Sequence, residues 1–173
     1  MSRTKLIPDS LIFLHIRALM LQSGERAASF GAVARVTGLA APTLVQRYGS
    51  QEGMVRAALL DGWDALDRIS DTAEGQSDLS VKGAQMLVKA LGDDTGDAAV
   101  LPLLVRHLDD PVLRHRAISW RVRVEQALAV RLGGGAKGRE AAALLFAAWQ
   151  GQLLWQPAGD KGFKLKDAVK RLT

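Results

Sequence analysis

The sequence predicts an all-α fold of about nine helices. Three observations lead there. Apolar residues recur at i, i+3, i+4 and i+7 in most segments, the period of a helix with one buried face. Ser and Asp stand at the starts of these segments and glycines at their ends, where helices are capped and stopped. No segment has the period-two alternation of a strand, and there is no internal repeat or low-complexity tract.

The elements follow in order. Residues 1–8 read as a short basic arm ending at Pro8; Arg3 and Lys5 either reach a phosphate or minor groove or fray with the terminus. Asp9 or Ser10 caps the first helix, which ends near Gly24, with Leu11, Leu14, Ala18 and Leu21 as its expected buried stripe. His15 within it reads as a partly buried packing residue. Residues 29–53 are the most informative stretch. Phe30, Val33, Ala34 and Thr37 share one helical face, Ser29 stands at the N-cap, and Gly38 ends the helix because glycine takes left-handed angles freely. Pro42 falls in the first turn of a third helix, where a missing N–H does no harm. Leu44 and Tyr48 are one turn apart and face inward, which leaves Thr43, Gln46 and Arg47 outside. A short helix with a polar, cationic outer face, braced by another across a turn, is how a helix-turn-helix presents side chains to the DNA major groove.

Ser50 caps a long fourth helix, with Glu52 in its first turn and Val55, Leu59, Gly62, Leu66 and Ile69 on one face. Residues 72–78 read as a polar loop and a domain seam. A fifth helix covers residues 80–91, with Val81, Ala84, Leu87, Val88 and Leu91 inward. A loop at 92–96 leads to a sixth helix within 98–108, which Pro102 must start or kink. Asp110 and Pro111 are the N-cap and first residue of a seventh helix running to about Leu132. Its arginines (114, 116, 121, 123 and 131) read as a solvated basic face, with a second anion-binding surface as the alternative. After Gly133, Gly134 and Gly135, an eighth helix over 137–156 is apolar on two sides: Ala141, Leu145, Ala148, Gln152 and Trp155 on one, Ala142, Phe146, Trp149 and Leu153 on the other. Two apolar faces need two burial partners, one of which could be a second subunit. A turn at 157–162 and a short ninth helix over 163–172, with Leu165, Ala168, Val169 and Leu172, close the chain.

Composition narrows the function classes. At 173 residues, with 48% hydrophobic and 24% charged residues, the chain has the balance of a globular protein that buries a sizeable core. Cysteine is absent, which excludes disulfide, thiolate-metal and thiol redox chemistry. The formal net charge is +5, and the first fifty residues hold six cations against two acids. A basic N-terminal module beside an acidic stretch from Asp61 to Asp110 suits a nucleic-acid partner at one end. No uncharged span reaches the ~20 residues that cross a bilayer, and no cleavable leader is evident, so a cytoplasmic protein with no membrane partner is expected. His15, His107 and His115 lack the spacing of a helical metal site, and there is no P-loop, dinucleotide fingerprint or nucleophile elbow. The reading is therefore no catalytic residue, no metal, no cofactor and no enzyme.

Residues 34–39, then Pro42-Thr43-Leu44, then Tyr48-Gly49-Ser50, with Glu52 and Met54 after them, resemble the N-terminal signature of the tetracycline-repressor (TetR) family of bacterial regulators. The specific match covers roughly residues 11–60; beyond it the chain matches as a run of helices of suitable number and order. The resemblance implies a helix-turn-helix DNA-binding domain over 1–50, supported by the start of the fourth helix to about residue 60, and a helical effector-binding and dimerisation domain over 65–173. It implies a homodimer on a palindromic double-stranded operator, acting as a repressor released by an unidentified small-molecule effector. Mapped onto this chain, the DNA-contacting set is Arg3, Lys5, Ser29, Ala41, Pro42, Thr43, Val45, Gln46, Arg47, Tyr48 and Gln51. The effector pocket would draw on Met86, His107, Trp120, Phe146 and Trp149. The dimer interface would draw on Ala141, Leu145, Ala148, Gln152, Trp155, Leu165, Ala168 and Leu172. The family usually has an aromatic residue where this chain has Val45 and a lysine where it has Gln51, both of which touch DNA phosphates. Those departures carry the alternative reading, a dimeric small-molecule or protein-binding module that kept the fold without tight operator binding.

Overall fold

A computed structural model describes residues 7–92, 100–155, 158–159, 164 and 167–169. Eight α-helices form its frame: α1 (Asp9–Ser23), α2 (Phe30–Thr37), α3 (Ala41–Tyr48), α4 (Gln51–Gln76), α5 (Val81–Leu91), α6 (Leu101–Leu104), α7 (Pro111–Arg131) and α8 (Gly135–Trp155). No strand occurs among the described residues, as the all-α reading expects. The ninth helix lies largely outside them: Leu165 and Leu172 are not described, nor are Arg3 and Lys5.

α4 is the spine. The N-terminal helices pack on its first half, with α1 along it and α2 and α3 completing a small trihelical unit. α5 and α7 pack on its second half, and α8 covers α7. One continuous apolar core runs through both halves, from Ile12, Val33 and Leu44 through Leu59 and Trp63 to Leu128 and Phe146.

Caps form at Ser29, Ser50 and Asp110 as expected, and at Ser80, which was expected to be the first residue of its helix; the cap expected at Asp9 or Ser10 is absent, because α1 starts at Asp9 behind Pro8 with no side-chain cap. Ser29 Oγ accepts from Ala32 N, Ser50 Oγ from Gly53 N, Ser80 Oγ from Gly83 N, and the Asp110 carboxylate from Val112 N and Leu113 N. Each satisfies N–H groups that the first helical turn leaves without partners.

Three further local expectations are corrected. In α1 the buried side chains are Ile12, Ile16, Arg17 and Met20, while Leu11, Leu14 and Leu21 are exposed. This helix is apolar nearly all round, so its period cannot choose a face. Arg17 chooses it, reaching Asp61 Oδ2 at 2.7 Å and the Ala58 carbonyl at 2.8 Å on α4. The expected seam at 72–78 is instead the last turns of α4, which continues to Gln76. Arg131 holds that end: it is buried, and its Nη2 donates to the carbonyls of Glu74 and Ser77, both at 3.1 Å. Carbonyls at a helix C-terminus otherwise lack partners, and no local signal announces a cap supplied from 54 residues away. The sixth helix does fall within 98–108, with Pro102 in its first turn as expected, and residues 105–107 tighten into a 3₁₀ turn after it. Finally, α8 presents one broad buried face, Ala141, Ala142, Leu145, Phe146 and Trp149. Ala141 and Leu145 are thus core residues of this subunit and do not face outward. The stripe left in solvent is one residue over: Leu144, Ala147, Gly151, Leu154 and Trp155.

Candidate functional site

Two places can carry function: the outer face of α3 and a cavity beside α7. The first is built on a braced turn. Gly38 has φ +73°, which a side-chain-bearing residue rarely adopts. Thr37 Oγ1 donates to the Val33 carbonyl at 2.7 Å and accepts from Leu39 N at 3.3 Å, locking the exit from α2. Leu44 is buried, so α3 shows Pro42, Val45, Gln46 and Arg47 to solvent; Ala41 and Thr43 are half-buried at its edges. Ser29 is committed as the N-cap of α2 and Gln51 opens α4, both half-buried.

Arg47 and Tyr48 have partners that sequence reasoning missed. Arg47 Nη1 donates to Asp9 Oδ1 at 3.2 Å and to the Ile7 carbonyl at 3.3 Å. The Tyr48 hydroxyl donates to the same Asp9 oxygen at 2.6 Å, and its ring packs on Phe13 at 5.7 Å between centroids. Burial and the adjacent Asp9 carboxylate raise the Tyr48 pKa far above its ordinary value, so the hydroxyl remains a donor. The result is a clamp between α3 and the start of α1. Arg47 thus stays exposed on the outer face, as expected, and is tied there to Asp9 and the Ile7 carbonyl. Its separation from Asp9 by 38 residues explains why no local pattern shows the pairing.

The cavity measures about 680 Å³, within the range of small-molecule sites. Trp63, Leu101, Leu108, Trp120 and Leu153 are among its apolar walls. Of the five residues expected to form a pocket, Trp120 lines it. Phe146 and Trp149 pack behind Trp120, at 5.9 and 6.3 Å between ring centroids, and are fully in the core. His107 lies off the cavity, 4.0 Å from Glu25, and Met86 is exposed on α5. Trp63 was missed although it lies one turn from Leu59 and three residues before Leu66, on the buried face of α4. The Trp120 indole N–H donates to Ser70 Oγ at 3.0 Å, tying α7 to α4 behind the cavity. No group of three or more His, Cys, Asp or Glu able to hold a metal occurs among the described residues. None of the described helices is long and apolar enough to cross a membrane.

This arrangement defines a class: an all-helical frame with a helix-turn-helix at one end and an apolar cavity at the other. No family model matches the sequence, and no curated protein matches it. Solved structures do share the fold. A transcriptional regulator from Rhodococcus sp. Rha1 superimposes with a TM-score of 0.76 at 19% identity, over 96% of this chain and 94% of its own. The multidrug binding protein EbrR, solved with imidazole, gives 0.68 at 21% identity, over 97% and 94%. A TetR family transcriptional regulator, PfmR from Thermus thermophilus, gives 0.63 at 18% identity, over 92% and 93%. The chain has the all-α fold of TetR-type regulators.

Proposed function

We propose that the chain is a TetR-like, non-catalytic transcriptional regulator that binds a palindromic operator as a homodimer in the cytoplasm. The observation that carries this reading is the braced turn between α2 and α3, set in a fold shared along almost the whole chain with a transcriptional regulator. Residues 1–50 read the DNA, with the start of α4 in support, and residues from about 65 onward dimerise and sense a ligand. Gln46 and Thr43 reach base edges. Pro42, Ala41 and Val45 supply close contact along the groove. Ser29, Tyr48 and Gln51 lie near the DNA backbone, and Arg47, Arg3 and Lys5 supply cations for its phosphates.

The exposed stripe of α8, from Leu144 to Trp155, is the natural dimer surface, with half-buried Ala148, Gln152 and Ala168 beside it. Gly151 and Leu154 belong both to this stripe and to the cavity wall, so an occupied cavity touches the interface. An effector that binds better to one dimer spacing than to the other would shift the population and release the operator. EbrR is named as a multidrug binding protein, which favours a small molecule as the occupant.

Hydroxyl-radical footprinting of genomic fragments retained by the protein tests the reading. Two protected patches about 34–36 Å apart are expected, as for two recognition helices in successive major grooves. The same fragments should lose protection with Gln46→Ala. The second reading, a dimeric binding module without operator affinity, draws on Val45, on Gln51 and on the engagement of Arg47 with Asp9. Retention no better than that of scrambled DNA would select it.

A further inference from the structure

We infer that the cavity beside α7 takes an amphipathic organic anion: an apolar chain or ring system bearing one carboxylate-like head. This rests on the reading of the cavity as the effector site and names the chemistry of its occupant. The walls are apolar, but three arginines border them. Arg106 comes from the 3₁₀ turn after α6, and Arg114 and Arg121 from α7. Arg114 and Arg121 are two helical turns apart and so share a face. No Asp or Glu is among the described lining residues, and only Arg121 has an acid beside it, Glu125, which is not on the wall.

Their pairing state is the informative part. The other arginines of α7 are bonded: Arg116 and Arg123 to acids of α4, and Arg131 to carbonyls at its end. Arg106 and Arg114 have no hydrogen bond or ion pair with any described residue. Arg121 reaches Glu125 at 2.7 Å, and its guanidinium also lies over the Phe146 ring, 5.5 Å from the centroid. Arg106 and Arg114, cations on the wall of an apolar concavity with no counter-charge among the described residues, favour a negative ligand, and a guanidinium fork matches a carboxylate in two parallel hydrogen bonds.

A second, independent observation lies on the inner wall. Trp63 lines the cavity and is 1% exposed, yet its Nε1 has no hydrogen-bond partner. Buried indole N–H groups normally find an acceptor. The neighbouring Trp120 does, on Ser70, whereas Trp149, packed in the core behind it, does not; of the two unpartnered indoles, Trp63 is the one on the cavity wall. An acceptor atom brought by a ligand would satisfy Trp63, and a cation would not. Gln150, also on the wall, adds an adaptable polar contact. The volume of about 680 Å³ holds a medium-length chain with its head group at the arginines.

Intrinsic tryptophan fluorescence reads occupancy directly, because two indoles line the cavity. The full chain is titrated with decanoate, 1-decanol and decyltrimethylammonium, each below its micelle concentration. Saturable binding of decanoate at least tenfold tighter than of 1-decanol, with none of the ammonium, is expected. The double variant Arg106→Gln/Arg114→Gln should lose decanoate affinity by tenfold or more and keep 1-decanol affinity and its melting temperature. Equal affinity for the acid and the alcohol, or preference for the cation, overturns the anion assignment while leaving the cavity as a ligand site. Absence of saturable binding by all three overturns the effector-site reading together with this one. A fluorescence change on raising protein concentration alone, with no response to decanoate, assigns the cavity to a second copy of the chain and overturns the proposal.

Discussion

α7 carries the same residue on two opposite sides, with different consequences. Arg114 and Arg121 are seven residues apart, and so are Arg116 and Arg123. The two pairs are offset by two residues, about 200° around the helix. Arg116 reaches Asp64 and Asp67 on α4, both at 2.5 Å, and Arg123 reaches Asp67 at 3.3 Å, Glu74 at 3.2 Å and Asp71 as well. The hydrogen bond that Arg116 donates to Asp64, with Asp67 beside it, raises the Arg116 pKa against the opposing effect of burial; for Arg123 burial is outweighed by Asp71, Glu74 and Asp67. On the cavity side, among the described residues, Arg121 pairs only with Glu125 of its own helix and Arg114 has no acid partner. Residue type and spacing are alike on both sides, so the neighbour decides whether an arginine is a structural strut or an open anion site.

That contrast can be broken experimentally at several strengths. The largest effect belongs to the residue between the two sides. Trp120→Ala removes the ring that touches Trp63, Phe146 and Trp149, and should cost about 3–5 kcal/mol of stability by urea denaturation. A loss below about 1 kcal/mol would mean that the cluster does not join α4 to α7 and α8. Next is Arg131→Met, which strands the Glu74 and Ser77 carbonyls and should cost about 1–3 kcal/mol. Hydrogen exchange of the last turn of α4 should speed up; unchanged protection there would show that the turn holds without its distant cap.

Smaller differences separate the two arginine pairs directly. Arg116 and Arg123 are each about one-third exposed, at 30% and 33%, so solvent screens their ion pairs. Removal of either should cost about 0.2–1 kcal/mol per pair lost. Arg106→Ala and Arg114→Ala should stay within about 0.5 kcal/mol of the parent. Equal losses on both sides would erase the distinction.

The gentlest probe is pH. Burial raises the Asp110 pKa, but hydrogen bonds from Leu113 N and Val112 N, and the Arg56 guanidinium 2.6 Å away, outweigh it and leave the carboxyl below its ordinary value. A depressed carboxylate contributes stability that is fully present above its unfolded pKa and is lost as pH falls through the folded one. Thermal melts taken downward from pH 7 should therefore show acid weakening that Asp110→Asn reduces. An unaltered acid profile in that variant would remove Asp110 from the α4–α7 seam.

The same contrast shows what was legible in the sequence. Most features whose cause is local were read correctly: the caps at Ser29, Ser50 and Asp110, the Gly38 turn, and the inward Leu44, though not the start of α1, which has no side-chain cap. Features whose cause is distant were not. The buried face of α1 depends on Asp61, the length of α4 on Arg131, and the posture of Arg47 on Asp9. The cavity belongs to the second group, since its wall joins α4, α6, α7 and α8, and only Trp120 was named for it. The exposed stripe of α8 was missed by one residue because Ala and Leu occur on both sides of that helix, and packing against α7 alone selects the inner one.

The central claim is that α3 reads a specific DNA sequence, and fluorescence anisotropy tests it most directly. The purified chain is mixed with DNA from upstream of its own gene and with a scrambled control, at two salt concentrations. The account predicts tight binding to the native DNA alone, weakening with salt as cations give up phosphates, with a slope of about 0.9 per phosphate contact. Gln46→Ala should lower that affinity and leave the salt slope unchanged, because a base contact specifies while a phosphate contact positions. Weak, salt-insensitive binding to both DNAs would contradict the claim and identify the chain as a ligand-binding module on a regulator fold.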